Sequence, residues 1–460
     1  MRNRTAWLWL CALAGLLLAA QQSDVIIKLS KGERAVIALP DLRGAGEAQR
    51  FMDAFNQTVW SDIESSGLFK MAPKSFYPLE VPQRPEDFRP PLAAPSARRG
   101  APQPPRRQGP WLTDWSAPPV SANYLALGYA AVQAEQFVLR GWLFNVAQND
   151  VTNAQVFGKL YLGPLDEAGA RKTAHEFAAD ILQQFGGASL AGTRIYFVSE
   201  RAERGVKEIW SMDHDGSNPK AVSSYRSLST TPAASPDGTK IAFTSYVGGN
   251  PAILIHSRET GRRLRFYSPA SSMVATPEFT PDGQKILFSY TIESWAQIAM
   301  ANLDGSELRR ISHVRAIEVE PKVNPKTGAE IVFVSGRAGP QQIFRMNLDG
   351  TDVRRLTPGE GQASNPAWHP DGQHIAFAWT RGFAPGNFNI FVMDAATQSF
   401  VQLTHGAGRN ENPSWAPDGR HLAFSSNRGG STQIWTMLAD GTQLRQLTTE
   451  GRNTMPVWAK

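Results

Sequence analysis

Histidine and aspartate are the residue types whose spacing in this 460-residue chain most invites a chemical role. His369 and His374 flank Asp371, and their nitrogen and oxygen atoms are common metal ligands. However, the eight histidines form no H-E-x-x-H or comparable motif, and the chain has no G-x-S-x-G nucleophile elbow. We therefore predict a protein that is not an enzyme and that uses no catalytic residue, cofactor or metal.

The aspartates belong instead to a repeated P-D-G turn, in which a carboxylate accepts hydrogen bonds from nearby backbone N–H groups. Four turns share this residue: Asp237, Asp282, Asp371 and Asp418. Both histidines flank one of these turns, so a structural role accounts for them as well.

The P-D-G turns mark a repeat whose openings are 44 to 47 residues apart, at Pro232, Pro277, Pro321, Pro366 and Pro413. Within each unit apolar residues alternate with a period of two, which indicates strands. Asp-Gly pairs between later strands, as at Asp349 and Asp440, indicate tight hairpin turns. Each unit therefore predicts four antiparallel strands, which form one propeller blade.

The two ends of the repeat region complement each other. Residues 193–223 supply three strands without an opening motif, whereas residues 456–460 supply an opening strand alone. We predict an all-β six-bladed propeller of four-stranded blades over residues 191–460, closed by the C-terminal strand, because closure removes exposed edges. The aromatic residues of the openings should then pack between blades rather than stack on a sugar: Phe279, Trp368, Trp415 and Trp458.

The N-terminus has the pattern of a secretory signal peptide. Arg2 and Arg4 precede an apolar run that ends in small residues, so residues 1–20 are predicted to be cleaved near Ala20. An uncleaved membrane anchor is the alternative, although the run is shorter than the roughly 20 residues that a span needs. The single cysteine, Cys11, lies in this run, so the mature chain is predicted to have no disulfide.

The composition is that of a soluble globular protein, with 42% hydrophobic and 19% charged residues. Its net charge of +6 comes from the signal peptide and from residues 82–110, which contain nine prolines and six arginines. The rest is near neutral, so nucleic-acid binding is not predicted. Residues 82–110 are predicted to form a solvated surface insert, or alternatively a basic arm that touches an acidic partner.

Residues 24–187 are predicted to form a small α/β domain around this insert. Strands are expected at residues 25–29 and 35–39 and near 123–130, 136–146 and 154–161. Apolar residues at helical spacing predict helices at 47–65 and 166–185, and Gly186 ends the second one. This α/β domain precedes the propeller.

Together these segments resemble the TolB family, the periplasmic soluble members of the Tol-Pal system. The resemblance spans the signal peptide, SDVIIKLSKG, SDIESSGLFK, TRIYFVSE, the five openings and the terminal PVWAK. The P-D-G repeat alone is also similar to the propellers of prolyl oligopeptidases and dipeptidyl peptidases. Two features depart from the family pattern, namely the proline-rich insert and the third opening, which reads NPKTG.

The resemblance implies a non-catalytic, monomeric scaffold in the periplasm. It would bind the peptidoglycan-associated lipoprotein Pal through the propeller and TolA through the N-terminal segment, and reach the outer membrane through its partners. Its implied role is to support outer-membrane integrity and constriction during cell division. The TolA-like partner would contact Asp24, Val25, Ile26, Ile27, Lys28 and Leu29.

Connectivity separates two ends of the propeller. P-D-G and D-G turns share one end, the turn face, whereas the loops before each opening proline and between the second and third strands share the other, the loop face. The loop face also carries Arg204, Arg337, Arg381 and Arg428. The resemblance implies that the lipoprotein binds there, at Thr230, Thr231, Val274, Thr276, Glu318, Glu320, Asn365, Glu411, Asn412, Thr454 and Met455. The alternative function is a periplasmic propeller that binds or modifies a small ligand or glycan in its channel.

Overall fold

The computed structural model describes residues 34–90, 109–266, 268–269, 273–406 and 408–460. These residues form two compact units, one within residues 32–191 and the other within residues 192–460. The predicted signal peptide, the predicted strand at residues 25–29 and the middle of the proline-rich insert lie outside the described residues. No helix among the described residues is long and apolar enough to span a membrane.

The first unit is built on a mixed sheet. Its strands are β1 (Ala35–Ala38), β2 (Arg43–Gly44), β3 (Phe69–Met71), β4 (Tyr124–Gln133), β5 (Gln136–Asn145) and β6 (Gln155–Pro164). The order is β3-β1-β4-β5-β6, with β2 beside β4. β1 is parallel to β3 and β4, whereas β4, β5 and β6 are antiparallel neighbours. The strands predicted near 123–130, 136–146 and 154–161 are therefore present.

Two helices cover one face of this sheet. They are α1 (Met52–Ser65), which continues a 3-10 turn at Gly46–Phe51, and α2 (Glu167–Gln183). Asp166 caps α2, because its Oδ1 accepts a hydrogen bond from Gly169 N at 2.7 Å. Phe55 and Phe177 are fully buried in this core, and burying each such side chain stabilises the fold by roughly 2–3 kcal/mol. Both predicted helices are thus confirmed.

The other face is covered by described residues between Ala72 and Ala122, which include short helical turns at Lys74–Phe76, Pro85–Asp87 and Thr113–Ser116. Here the prediction of a solvated insert at 82–110 is wrong at its ends. Phe88 is buried beside Phe144, with ring centroids 5.6 Å apart. Arg89 N–H donates to Pro110 O at 2.9 Å and ties the two ends together. The apolar area of Phe88 is enough to hold the segment on the sheet.

The second unit is a six-bladed propeller in which every blade is a four-stranded antiparallel sheet. Blade 1 contains β10 (Ser229–Ala234), β11 (Lys240–Gly248), β12 (Asn250–Ser257) and β13 (Arg263–Leu264). Blade 2 contains β14 (Val274–Phe279), β15 (Lys285–Ile292), β16 (Trp295–Asn302) and β17 (Arg309–Arg310). Blade 3 contains β18 (Glu318–Val323), β19 (Glu330–Ser335), β20 (Gln342–Asn347) and β21 (Arg354–Arg355).

Blades 4 to 6 follow the same plan, and the first strand given for every blade is its innermost strand. Blade 4 contains β22 (Ala363–Trp368), β23 (His374–Trp379), β24 (Asn389–Asp394) and β25 (Phe400–Gln402). Blade 5 contains β26 (Asn410–Trp415), β27 (His421–Ser426), β28 (Gln433–Leu438) and β29 (Arg445–Gln446). Blade 6 contains β30 (Asn453–Ala459) with β7 (Arg194–Ser199), β8 (Glu208–Asp213) and β9 (Lys220–Ala221).

Blade 6 closes the ring as predicted. The C-terminal strand β30 pairs antiparallel with β7, placing Asn453 opposite Ser199 and Trp458 opposite Ile195. Trp458 Nε1 also donates to Thr193 Oγ1 at 3.0 Å. Residues far apart in sequence therefore share one sheet, and the edge of β7 is covered.

A buried side-chain network explains why the repeat combines Q-I in its third strand with L-T at its end. In blade 3, Thr357 Oγ1 donates to Gln342 Oε1 at 2.6 Å and accepts from Ile343 N at 3.1 Å. Gln342 Nε2 donates to Gly361 O at 2.8 Å. Equivalent hydroxyl groups occur in four other blades, on Ser223, Ser312, Thr404 and Thr448. The network fixes the loop that leads to the next blade.

Replacing Thr357 with valine is expected to lower the free energy of unfolding by about 1–3 kcal/mol, because Gln342 Oε1 and Ile343 N–H stay buried without this partner. Thr357→Ser is the matched control, since serine fills the equivalent position in blades 2 and 6. Urea denaturation followed by tryptophan fluorescence measures both variants. Equal stability of T357V and T357S would show that the hydroxyl contributes nothing.

Candidate interaction face and channel

Each innermost strand is interrupted by a β-bulge after its second residue. The third residue adopts the left-handed conformation, with φ between 47° and 56°, and the opening proline follows it. We call these six residues the belt: Thr231, Thr276, Glu320, Asn365, Asn412 and Met455. None is glycine, so each conformation costs on the order of 1 kcal/mol or more and needs compensating contacts.

Hydrogen bonds between blades supply that compensation. At five of the blade junctions, the N–H group of a belt residue donates to a side chain of the preceding blade. The bonds are Thr276 N to Thr244 Oγ1 (3.1 Å), Glu320 N to Thr276 Oγ1 (3.4 Å), Asn365 N to Glu320 Oε2 (2.7 Å), Asn412 N to Asn365 Oδ1 (3.3 Å) and Met455 N to Ser425 Oγ (3.0 Å). The bulge thus turns a backbone donor away from its own sheet and toward its neighbour.

The structure places the predicted partner-binding residues in the first half of the innermost strands, not in loops. The belt residues are half-buried around the channel. Thr230, Glu411 and Thr454, which precede belt residues in the chain, are half-buried as well. Two members of the set are corrected, because Val274 is only 1% exposed and Glu318 is fully buried. Both begin a strand, and the alternation of strand side chains directs them into the blades. Val274 packs with Phe279 and Phe288 in an apolar cluster.

Glu318 is held by an ion pair inside blade 3. Its Oε1 accepts hydrogen bonds from Ser335 Oγ at 3.0 Å and from Arg337 Nε at 3.1 Å, and Arg337 Nη2 contacts the same oxygen. A fully buried carboxylate requires such a partner, since desolvating a lone charge is very costly. Glu318 is therefore a structural residue that anchors Arg337 at the loop face.

Arginines of the loop face lie over aromatic rings. The guanidinium carbons of Arg337, Arg381 and Arg428 lie 5.2 Å from Phe344, 4.7 Å from Phe400 and 5.2 Å from Trp435, measured to the ring centroids. Arg204 lies in the corresponding loop of blade 6, but Arg201 takes the place equivalent to these three arginines, 4.6 Å from the centroid of Trp210. The spacing of Arg201 from Ser199 matches that of Arg337 from Ser335 and would have identified it. We call Arg201, Arg337, Arg381 and Arg428 the arginine arc, which spans blades 3 to 6.

A set of exposed apolar side chains on the loop face was not predicted. It consists of five large side chains in blades 1 to 3, which we call the apolar arc: Leu228, Tyr246, Val247, Trp295 and Ile317. Tyr246 and Val247 lie on the extended β11–β12 hairpin, and Tyr246 N donates to Leu228 O at 2.9 Å. Leu228 and Ile317 each lie four residues before an opening proline, whereas Tyr246, Val247 and Trp295 lie in the hairpins of blades 1 and 2, so the set as a whole follows no single repeat position.

The channel is a cavity of about 530 Å³ lined by all six innermost strands. Among the described residues that line it, the charged ones are Glu278, Glu320, Lys322 and Lys460. Lys322 Nζ lies 2.7 Å from Glu278 Oε2 and joins blades 2 and 3. Burial raises the pKa of Glu278, against the effect of Lys322, and burial also raises the pKa of Glu320 despite its hydrogen bonds with Asn365.

The P-D-G aspartates accept local backbone hydrogen bonds, as predicted. Thr239 N donates to Asp237, Gln284 N to Asp282, Gln373 N to Asp371 and Arg420 N to Asp418, at 2.7 to 3.0 Å. The opening aromatics Phe279, Trp368, Trp415 and Trp458 are all at least 92% buried, as their predicted packing between blades requires, with exposures of 4%, 8%, 5% and 7%.

His369, Asp371 and His374 do come together, but His369 is already fully engaged. Its Nε2 lies 2.7 Å from Gly419 O, which can only accept, so this nitrogen carries the proton. Its Nδ1 accepts from Asp371 N at 3.0 Å. Both ring nitrogens therefore brace the turn against blade 5, and neither has a lone pair left for a metal.

Six four-stranded blades around a belted channel, following an α/β unit, define a β-propeller protein whose most distinctive surface is the loop face. Residues 186–382 and 359–460 match the sequence model of the family described as the TolB beta propeller domain. The chain belongs to the TolB family.

Matches to individual relatives indicate the same family. The chain is 35% identical over 155 residues to a protein TolB homolog of Chlorobium chlorochromatii, covering 34% of this chain and 33% of the relative. It is 29% identical over 249 residues to the Tol-Pal system protein TolB of Jannaschia sp., covering 53% of this chain and 49% of the relative. The matches thus span a third to a half of these relatives' lengths.

A solved structure extends the fold comparison to both units. The crystal structure of TolB from Acinetobacter baumannii superposes with a TM-score of 0.73 at 22% sequence identity. The match covers 93% of this chain and 97% of that one. At this identity the likeness establishes the shared architecture, including the propeller and the unit before it.

Replacing Arg337 with methionine is expected to destabilise the propeller by about 3–5 kcal/mol, because it leaves the buried Glu318 carboxylate without its cation. Arg381→Met is the matched control, since its partner Glu360 is 63% exposed and the loss should stay below about 1 kcal/mol. Chemical denaturation of both variants measures the difference. A loss as small in R337M as in R381M would mean that the Glu318 pair contributes little.

Proposed function

We propose that this chain is a non-catalytic scaffold of a Tol-Pal-type envelope complex. Its loop face binds a peptidoglycan-associated lipoprotein of the Pal type, and its N-terminal segment at residues 24–29 binds a TolA-like inner-membrane protein. Membership of the TolB family supports the scaffold role, and the names of the relatives tie it to the Tol-Pal system. The engaged nitrogens of His369 favour a binding role over metal chemistry.

The observation that carries the proposal is the pairing of two arcs around one channel mouth. Protein interfaces typically combine an apolar core with aromatic and arginine anchors. The apolar arc supplies Trp295 and Tyr246, whereas the arginine arc supplies guanidinium groups held flat over aromatic rings. A partner with an apolar ridge and acidic flanks would complement both arcs at once.

The belt prepares this face for binding. Its hydrogen bonds hold six blades at fixed spacing, so the arcs need not be ordered when the partner arrives, which reduces the entropic cost of association. Thr230, Glu411 and Thr454 lie beside the belt and offer polar contacts at the centre, and Glu411 is oriented by Arg409 at 2.7 Å. The belt side chains themselves line the mouth of the channel.

Location follows from the same proposal. The predicted signal peptide directs the chain to the periplasm, and the lipoprotein and the TolA-like protein connect it to the outer and inner membranes. In that position the chain supports outer-membrane integrity and constriction during division. The N-terminal segment lies outside the described residues, and its apolar, β-branched sequence suits addition to a sheet edge of the partner.

Substituting Thr276 or Glu320 with lysine would be a poor test of the lipoprotein site, because both residues hold the belt together. We expect instead that Val247→Glu and Trp295→Glu each weaken lipoprotein binding at least about tenfold, which is ~1.4 kcal/mol. Leu444→Glu is the matched control, since Leu444 is 42% exposed against 39% for Trp295 but lies on the turn face.

Titration of the purified soluble domain of the organism's own Pal-like lipoprotein measures all three affinities. Circular dichroism establishes that each variant is folded. The loop face is the wrong site if L444E weakens binding as much as W295E does, or if neither arc variant has an effect.

Deleting residues 24–29 is expected to abolish capture of the TolA-like protein and to leave lipoprotein binding unchanged, because the two partners use separate surfaces. Deletion of residues 96–101 removes an equal length from the insert and serves as the control. Crosslinking in the envelope fraction followed by mass spectrometry detects both partners in one experiment. Retention of the TolA-like protein by the chain that lacks residues 24–29 would refute this assignment.

A further inference from the structure

The channel contains three levels of residues, because equivalent positions of the six innermost strands surround the same axis. The belt forms the level nearest the loop face. Below it lies the residue after each opening proline: Ala233, Glu278, Lys322, Ala367, Ser414 and Val457. Prolines of the turns and Lys460 form the level nearest the turn face. The cavity thus begins at the belt and extends through the ring.

The two walls of the middle level differ in chemistry. Blades 2 and 3 contribute Glu278 and Lys322, whereas blades 5 and 6, on the opposite side of the ring, contribute Ser414 and Val457. Met455 adds a thioether to the apolar side. Sixfold repetition would place the same residue type at every position, so the charges mark a local departure from the repeat.

The charged wall has an excess of negative charge. Glu278 and Glu320 face a single ammonium group there, that of Lys322, which lies 2.7 Å from Glu278 Oε2. Glu320 is held by neutral donors, with Asn365 N at 2.7 Å from Oε2 and Asn365 Nδ2 at 3.1 Å from Oε1. Lys322 lowers the pKa of Glu320 as well, and Glu411 raises it, but the ammonium group of Lys322 is in direct contact with Glu278. A second cation beside Glu320 would therefore stabilise its partly desolvated carboxylate further.

We propose that the channel binds an aliphatic ammonium group, with Glu320 as its counter-ion and the Val457 and Met455 side chains of blade 6 in contact with its methylene groups. The compact ammonium ion has three donors and can reach the lone pairs of Glu320 that Asn365 leaves free. The carboxylates of Glu278 and Glu320 disfavour anionic ligands at this wall. The site goes beyond the proposed scaffold role, because it needs neither the lipoprotein nor the TolA-like protein.

Two kinds of ligand carry an aliphatic ammonium group, namely a free alkylamine and the lysine side chain of a bound protein. Their sizes differ, since a free diamine fits entirely within about 530 Å³ whereas a lysine enters from the mouth with its backbone outside. Cadaverine and an acetylated, amidated Gly-Lys-Gly peptide represent the two sources. The probe that binds more tightly identifies which source the site prefers.

Isothermal titration of the chain from residue 21 onward, near neutral pH and with EDTA present to exclude metal ions, measures the affinity for each probe. We expect saturable one-to-one binding of at least one probe and no binding of pentanol, which has the alkyl chain without the charge. Glu320→Gln keeps an acceptor for Asn365 N and should weaken binding at least about tenfold. Glu307→Gln, at an exposed position on the turn face, should leave the affinity unchanged.

A second variant tests the apolar wall without touching the carboxylate. Val457→Phe, in blade 6, should fill the channel opposite Glu320 and also abolish binding, and a retained thermal unfolding transition shows that the ring is intact. Because burial raises the pKa of Glu320, lowering the pH through that pKa should release the probe as the carboxylate becomes protonated. The proposal is overturned if neither probe saturates at millimolar concentration, or if E320Q binds as tightly as the unmodified chain. Such a failure would leave lipoprotein binding to the loop face untouched.

Discussion

Capture of a belt N–H group by the preceding blade, at five of the blade junctions, is the interaction on which the propeller depends most. A β-bulge frees a backbone donor that would be costly to bury alone, and a side chain of the preceding blade accepts its hydrogen bond. The requirement to satisfy these donors therefore sets the spacing between blades. The width of the channel and the positions of both arcs follow from that spacing. Backbone geometry and the proposed recognition surface are in this way consequences of the same hydrogen bonds.

Much of the fold could be predicted because the same pattern of strands and turns occurs in each repeated unit. The alternation in segments such as Ile375–Phe377 and the Asp-Gly turns identified strands and hairpins, and the unmatched ends identified circular closure. The insert was harder, because its apolar anchors are single residues in a proline-rich context. Phe88 on its own has no period from which burial could be inferred.

The site was less predictable for a related reason. Val274 and Glu318 were grouped with belt residues by their distance from the opening proline, but the bulge changes which way successive side chains point. A register shift of this kind depends on tertiary pairing and leaves no local sequence mark. The apolar arc was missed because only Leu228 and Ile317 share a repeat position, and its other members lie in the hairpins of blades 1 and 2. Only the folded ring brings Leu228 and Trp295 to one face.

The pairing of β30 with β7 also dictates an order of events during synthesis. Ile195 is synthesised long before its partner Trp458. One edge of β7 therefore stays unpaired until all the intervening blades have been synthesised. The first five blades can form from contiguous sequence as they emerge, but the sixth is completed only by a strand that follows them all. The ring therefore closes in a single late step, and an interrupted chain lacking β30 would retain an open edge that chaperones and proteases can recognise.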